Sequence, residues 1–305
     1  MRLISFTALV ALIALPAAAQ DWKADYRILR FGISSSENEK DRMIRNEPMR
    51  AYLERELGVE VEIFTAGSFD GIIQALAAGQ IEIARLGSSA YAAAYTASEG
   101  NVVPTLTNLH KDGSAGYVSI LVTRCDSGIK SLADAAGKGL AFADPDSTSG
   151  YVVPLFNMVE RESIDPETYF SATSFAGSHE SGVMGVVNGS FDVAATYENN
   201  ALNGNYQRME EKGMIEPGLV CKIWESPEIT NGPLVFNKSL PPKLIEDVTL
   251  VMERFPQADE EAYKLYTSFT EDDDNPAVGF QRVDHARYQW IIEMRDWLKA
   301  YRSAN

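Results

Sequence analysis

Three consecutive hydroxyl side chains form the part of the sequence best suited to chemistry. Ser147, Thr148 and Ser149 stand between a predicted buried strand and a predicted helix. The strand covers 140–143 and the helix covers 151–156. Such a loop brings hydroxyls and unpaired backbone N–H groups to a helix N-terminus, which binds oxyanions without a basic side chain. One hydroxyl is sufficient for a plain helix cap, which is the alternative. The run of three therefore predicts an oxyanion site, and the missing G-x-x-x-x-G-K spacing argues against a P-loop.

Two further side chains have types and positions that suit ligand binding. His179 begins a predicted helix, where its ring could donate a hydrogen bond to an anion or cap the helix. Glu198 follows a predicted strand and could pair with a ligand amine or lie in a solvated turn. An enzymatic alternative makes His179 a base in phosphoester hydrolysis, but the sequence offers no nucleophile at a readable spacing and no metal-ligand cluster. We therefore predict a binding protein without a metal or cofactor.

Composition limits the partners of the chain. The 305 residues carry a formal net charge of −16, whereas binding to a nucleic acid needs clustered Lys and Arg. A nucleic-acid partner is therefore excluded. Any bound anion must be held by local geometry, against an unfavourable net field. Hydrophobic residues make up 45% of the chain, and the length fits two domains of about 100–150 residues each.

The N-terminal residues predict export from the cytoplasm. Arg2 precedes an apolar run at 3–15, and an alanine-rich cleavage site follows, so that residues 1–19 are interpreted as a secretory signal peptide. The run is shorter than the roughly 20 apolar residues that span a bilayer. Export would place Cys125 and Cys221 in an oxidising compartment, which permits a disulfide between them. Two separate buried thiols are the alternative.

The order of predicted elements indicates an α/β fold. Predicted strands at 28–33 and 59–64 flank a predicted helix, as in a parallel sheet with right-handed crossovers. Gly87 and Ser88 open another predicted helix and would bring free N–H groups to the carboxyl edge of that sheet, where ligands bind in open α/β folds. The pattern starts afresh near residues 122–125.

The chain thus predicts two lobes with a cleft between them that closes by a hinge. The boundaries are 20–122 together with 229–305 for the first lobe, and 123–228 for the second lobe, which carries the oxyanion loop.

Several segments carry a resemblance to a known family. They are 144–150 (DPDSTSG), 177–180 (GSHE), 188–194 (NGSFDVA), 31–33 with 36–38, 71–74 before 81–84, and 224–227. In this order they resemble the phosphate/phosphite/phosphonate-binding proteins of ABC transporters, and the likeness spans most of the chain after the signal peptide. The resemblance implies a type II periplasmic binding protein fold, with two lobes that each hold a mixed, mostly parallel sheet flanked by helices.

The resemblance also implies roles for individual residues. Ser147, Thr148, Ser149 and His179 would hold the phosphonate oxygens. Glu198 matches, after a one-residue shift, the carboxylate that receives the amine of 2-aminoethylphosphonate, and Asn199 is the competing assignment. The implied partners are a small phosphorus oxyanion and an inner-membrane ABC permease, for a periplasmic protein expected to be a monomer. The other residues expected at the ligand are Glu37, Phe69, Leu86 and Ser88.

Three positions depart from the pattern of the aminophosphonate binders. Phe69 and Leu86 stand where tyrosines are expected, and Gly232 stands where an acid is expected. The surviving Glu198 favours 2-aminoethylphosphonate. Phosphate, phosphite or an alkylphosphonate are the alternative ligands. A receptor that reports to a membrane sensor instead of a permease is the alternative role.

Overall fold

The computed structural model describes residues 21–34, 36–267 and 273–304. The predicted signal peptide, 1–19, therefore lies outside the described residues. Across the described ranges the chain forms two mixed β-sheets flanked by helices. None of the helices in these ranges is long and apolar enough to cross a membrane.

The strands and helices have the following bounds. The strands are β1 Ile28–Ile33, β2 Glu60–Phe64, β3 Ile83–Arg85, β4 Val102–His110, β5 Gly116–Arg124, β6 Gly139–Phe142, β7 Ala172–Phe175, β8 Val193–Asn200, β9 Asn203–Gly204, β10 Val220–Glu225, β11 Ile229–Thr230, β12 Pro233–Asn237 and β13 Ala277–Arg282. The helices are α1 Glu39–Leu57, α2 Phe69–Ala77, α3 Ser88–Ala97, α4 Val153–Glu160, α5 Pro166–Tyr169, α6 His179–Val187, α7 Asn205–Glu211, α8 Pro242–Ala258, α9 Glu260–Thr267 and α10 Gln289–Ala304.

Six strands form the first sheet, in the order β13-β4-β12-β3-β1-β2. Strand β1 runs parallel to β2 and to β3, whereas β12 and β13 pair antiparallel with their neighbours. Strand β4 is antiparallel to β12 and therefore runs in the same direction as β1, β2 and β3, so that β12 and β13 are the reversed strands among those described. With four of its six strands in one direction, the sheet confirms the expectation of a mixed, mostly parallel sheet.

The second sheet has β10-β5-β8-β6-β7 as its path, with β11 paired to β5 and β9 paired to β8. Among the described strands of this sheet, β6 makes the parallel pairs, with β7 and β8. Strand β5 pairs with β8 from Val118 to Val122. The predicted boundary at residue 122 thus falls inside a strand that belongs to the second sheet, because β5 is one continuous extended segment.

Helix α1 is the helix that the sequence predicts between the first two strands, and it begins at Glu39. Asn38 caps it, since its side chain accepts a hydrogen bond from the backbone N–H of Asp41. Gly58 ends it in the left-handed conformation, with φ of 68°, where glycine lacks the steric cost that other residues bear. Pro48 lies inside the helix, so this proline is accommodated within the helix and does not end it.

A disulfide joins Cys125, just after β5, to Cys221 in β10. The two strands are adjacent and antiparallel, which brings the two Cα atoms to 5.0 Å from each other. Of the two alternatives left open by the sequence, the disulfide is confirmed.

Candidate functional site

A cavity of about 210 Å³ lies between the two sheets, near the carboxyl ends of β1, β3 and β6. Ligands of open α/β folds bind at this edge of a sheet. The volume is below the range of about 300–1,000 Å³ that is usual for drug-sized ligands, so the cavity suits a small molecule. Both sheets and their helices contribute to its wall, whose residues are Ile33, Ser34, Ser36, Arg45, Asn46, Phe69, Arg85, Leu86, Gly87, Asn108, Tyr117, Ser147, Thr148, Ser149, His179, Tyr197, Asn199, Arg208, Asn231, Gly232, Tyr266 and Thr267.

The predicted oxyanion loop forms one wall of this cavity. It begins after β6 and leads into a π-helical turn, Thr148–Val152, that continues as α4. Ser147 caps the turn, because its Oγ accepts a hydrogen bond from the N–H of Gly150 at 3.0 Å. Ser147, Thr148 and Ser149 all line the cavity. A helix start with three hydroxyls therefore faces the cavity, and capping alone needs one of them.

Tyr117 adds a fourth hydroxyl to this wall. Burial raises its pKa to about 12, although hydrogen bonds with Ser149 and Thr148 act in the opposite direction. The phenol is therefore protonated at neutral pH and available as a donor. Thr148 also contacts the first sheet's helices, since its Oγ1 accepts a hydrogen bond from the N–H of Ser89 at 2.8 Å.

His179 lies at the first position of α6 and is buried beside the loop. Its Nε2 is 3.0 Å from the Oγ of Ser147, and its Nδ1 is 3.2 Å from the Oγ1 of Thr196. Burial lowers the pKa of the imidazole to about 4, so the ring is neutral at neutral pH. A neutral ring donates with one nitrogen and accepts with the other, and both have hydroxyl partners.

This buried imidazole makes the stability of the protein depend on pH. In the unfolded chain the pKa is near 6.5, so between pH 6.5 and about 4 the unfolded state binds the proton that folded His179 rejects. We expect the free energy of unfolding to fall by up to about 3 kcal/mol across this window. Denaturant titrations at several pH values measure the effect, and His179→Gln is the control that should lose it. If the free energy of unfolding varies equally with pH in both proteins, the lowered pKa of His179 is refuted.

Strand alternation separates Glu198 from the cavity. Tyr197 and Asn199 of β8 line it, and successive side chains of a strand point to opposite faces. Glu198 instead accepts hydrogen bonds from Lys222 and, at 3.0 Å, from Gln207. Of the two competing assignments, the structure places Asn199 at the cavity and Glu198 away from it.

Of the other four residues expected at the ligand, two line the cavity and two do not. Phe69 and Leu86 line the cavity. Ser88 is buried and donates its hydroxyl hydrogen to the carbonyl oxygen of Thr230 at 2.7 Å. Glu37 does not line the cavity but accepts a hydrogen bond from Arg45, which does.

Three arginines of the wall were missed by sequence reasoning. Arg85 ends β3, Arg45 lies in α1 and Arg208 lies in α7. Arg85 could have been found from its position at the end of a predicted strand, at the edge where ligands bind. The other two lie on helices that are otherwise ordinary in sequence, and only the packing of those helices brings them to the cavity.

Gly232 is required by close backbone approach. A Cβ at this position would overlap the carbonyl oxygen of Leu86 and lie 2.8 Å from the Cα of Gly87. This explains why no acid stands before Pro233, since any side chain would push apart β12 and the loop after β3.

We expect Gly232→Ala to lower the free energy of unfolding by about 1–3 kcal/mol, as overpacking does. Thermal or urea unfolding measures the loss. Gly139→Ala is the matched control, because its nearest neighbour would be an ordinary contact at 3.5 Å. Equal stability of the two variants would show that the approach at Gly232 is looser than described.

A polar cluster bridges the two sheets beside the cavity. Glu180 of α6 accepts hydrogen bonds from the backbone N–H and the Nδ2 of Asn38, at 2.8 and 3.0 Å. Lys212 lies 2.8 Å from a carboxylate oxygen of Asp41 and 3.6 Å from one of Glu180. The hydrogen bond from Lys212 lowers the pKa of Asp41. These contacts hold the start of α1 against α6 and α7.

Helix α10 makes a second bridge between the two sheets. It packs on α3, while Trp297 donates a hydrogen bond to Glu160 of α4 at 2.7 Å. Arg295 pairs with Asp146 of the oxyanion loop at 2.8 Å and donates to the hydroxyl of Ser89 at 2.9 Å. The loop is therefore tied to helix α10 through Asp146 and to His179 through Ser147.

Residues 31–288 match the family model described as "ABC transporter, phosphonate, periplasmic substrate-binding protein". The chain belongs to this family of phosphonate-binding proteins. It is 33% identical over 243 residues to the phosphonates-binding periplasmic protein of Escherichia coli K12, a match that covers 78% of this chain and 68% of the relative. It is 30% identical over 219 residues to the phosphate-import protein PhnD of Mycolicibacterium smegmatis, covering 69% and 66% respectively.

Solved structures of other phosphonate-binding proteins share the architecture. A binding protein component of an ABC phosphonate transporter from Pseudomonas aeruginosa superposes with a TM-score of 0.77 at 26% identity, covering 88% of this chain and 85% of that one. PhnD1 of Prochlorococcus marinus, solved with methylphosphonate, gives a TM-score of 0.74 at 18% identity, covering 90% and 98%. The predicted type II periplasmic binding protein fold is thereby confirmed.

Proposed function

We propose that this protein captures a small phosphonate in the cavity between its sheets and delivers it to an ABC permease of the inner membrane. The observation that carries the proposal is the oxyanion loop, in which three hydroxyls at a helix start line the cavity between the sheets beside a neutral histidine. The protein acts in the periplasm as a monomer, after removal of residues 1–19.

The loop binds the phosphorus oxygens through neutral donors. The hydroxyls of Ser147, Thr148 and Ser149 donate to them, helped by the positive end of the α4 segment and by the phenol of Tyr117. His179 holds the hydroxyl of Ser147 in place and, by exchanging this bond, can itself donate to a ligand oxygen. Because the donors are neutral, release of the ligand does not leave an unpaired buried charge.

The substituent on phosphorus is not required to be an amine. The expectation of 2-aminoethylphosphonate rests on Glu198, and this carboxylate is engaged with Lys222 on the opposite face of β8. The amine has no other carboxylate among the described residues that line the cavity. We therefore propose a phosphonate as ligand, with phosphate and phosphite as weaker candidates.

Closure of the two sheets over the ligand completes the proposed cycle. The lobe built on the first sheet and the lobe built on the second rotate about the connecting segments next to β5 and β11, as hinged binding proteins do. The bridge of Asn38, Glu180 and Lys212 holds the closed form. A permease would then recognise the closed pair of lobes.

Calorimetric titration with methylphosphonate, phosphate, phosphite and sulfate tests the proposal. We expect methylphosphonate to bind with micromolar or lower Kd and sulfate to bind much more weakly. The double variant Ser147→Ala/Thr148→Ala removes two charge-assisted hydrogen bonds, each of about 1.5–3 kcal/mol, and should weaken methylphosphonate binding by roughly a hundredfold or more.

The matched control is Ser171→Ala/Ser174→Ala, a pair of exposed serines beside and within β7 of the same sheet that do not line the cavity. Its affinity should stay within about threefold of the wild type. Flat titrations of the wild-type protein with all phosphorus oxyanions would overturn the proposed function.

A further inference from the structure

The charge of the cavity wall is unevenly distributed. Three guanidinium groups line it, those of Arg45, Arg85 and Arg208, and the described residues of the wall include no Asp or Glu. This positive lining stands in a chain whose net charge is −16. A cleft lined by one sign of charge focuses the electric field of those charges, so the sign of the local charge matters more for a ligand than the net charge of the chain.

The guanidiniums differ in how far their charge is balanced. Arg45 pairs with Glu37, which lies behind it. Arg85 donates to the hydroxyl of Tyr266 at 3.2 Å, and Arg208 donates to the hydroxyl of Tyr197 at 3.4 Å and to the side-chain oxygen of Asn203 at 3.0 Å. Among the described residues, the hydrogen-bond acceptors of Arg85 and Arg208 are thus neutral. Glu37 also acts electrostatically on Arg208, but this carboxylate is already paired with Arg45 and Lys212.

One of these groups also has an unused donor. The Nε of Arg208 is buried and has no hydrogen-bond partner among the described residues. Buried donors are normally paired, and a charged donor without a partner is especially costly. A ligand acceptor would satisfy it. The oxyanion loop, in contrast, already supplies neutral donors for a phosphonate head.

Two amide oxygens of the wall could accept hydrogen bonds from a ligand. The Oδ1 atoms of Asn46 and Asn108 are buried without a partner in the described chain, and a ligand ammonium or hydroxyl could donate to them. They are neutral, so they do not offset the repulsion between an ammonium and the guanidiniums of Arg85 and Arg208. A hydroxyl on the ligand, or a water, satisfies them without that repulsion.

We infer that the ligand's second group is an anionic hydrogen-bond acceptor, such as a carboxylate, which Arg85 and Arg208 bind while the loop holds the phosphonate head. The inference rests on the proposed function, since it assumes a phosphonate in this cavity. It names the substrate class as phosphonates with an acidic substituent, and it makes Arg85 and Arg208 the residues that select it. An aminoalkyl substituent is disfavoured by the same two charges.

Three ligands separate the inference from the proposed function: methylphosphonate, 2-aminoethylphosphonate and 3-phosphonopropionate. The last two have the same two-carbon chain and differ in the sign of the terminal charge. We expect 3-phosphonopropionate to bind at least about tenfold more tightly than 2-aminoethylphosphonate. In Arg85→Gln/Arg208→Gln this ratio should fall towards one, while Arg254→Gln, outside the cavity, leaves it unchanged.

Each outcome has a distinct meaning. If methylphosphonate binds and 2-aminoethylphosphonate equals or exceeds 3-phosphonopropionate, the inference is overturned and the proposed function stands. A preference for 3-phosphonopropionate that survives in the double arginine variant overturns the role of Arg85 and Arg208. If none of the three ligands binds to the folded wild-type protein, the proposed function and the inference both fail.

Discussion

Gly150→Ala is expected to weaken methylphosphonate binding by about a hundredfold or more, the loss that a displacement of about 1 Å in a preorganised site causes. The added Cβ would overlap the Cβ of Ala143 and lie 2.8 Å from the Oγ of Ser147 and 2.9 Å from the Cε1 of His179. These neighbours are the residue that follows β6 and two of the side chains of the anion site. Relief of the clash therefore moves the donors themselves.

Calorimetry with methylphosphonate measures this effect, and circular dichroism shows whether the variant is folded. Gly67→Ala is the matched control, because a Cβ there has no atom within 4 Å and should leave binding unchanged. A folded Gly150→Ala protein with wild-type affinity would show that the packed geometry of the loop is not needed for the ligand.

Removal of the disulfide has the largest expected effect on stability. Cys125 and Cys221 are 96 positions apart, and a cross-link that closes a loop of about this length contributes roughly 4 kcal/mol by restricting the unfolded chain. Cys125→Ala/Cys221→Ala should lower the free energy of unfolding by this order. Urea titration of the oxidised protein and of the variant measures the difference.

The same proteins provide an internal control for the disulfide. Treatment with a reductant should destabilise the wild type by a similar amount and leave the double variant unaffected. Ligand affinity in the folded variant should change little, because the disulfide joins β10 to the end of β5, and neither cysteine lines the cavity. Indistinguishable urea midpoints for the wild type and the variant would contradict the predicted contribution.

The oxyanion loop could be predicted from sequence because its signal is local. Three hydroxyls in a row between a strand and a helix have a direct meaning in the physics of helix ends. The disulfide remained one of two alternatives in the sequence, because export permits a disulfide but does not bring the two cysteines together. Both features were then placed by the structure.

The far side of the cavity could not be predicted in the same way. Glu198 and Asn199 are adjacent in sequence, and only the register of β8 decides which of them faces the cavity, because a shift of one residue exchanges the two faces of a strand. Arg45 and Arg208 reach the wall through the packing of α1 and α7, which depends on contacts distant in sequence. Gly232 likewise acquires its meaning only when β12 meets the loop after β3.

The position of phosphorus in a crystal of the methylphosphonate complex tests the central claim most directly. We predict phosphonate oxygens at hydrogen-bond distance, about 2.5–3.2 Å, from the hydroxyls of Ser147, Thr148 and Ser149. Phosphonate density beside Arg85 and Arg208, with the three hydroxyls unengaged, would contradict the assignment of the loop as the anion site.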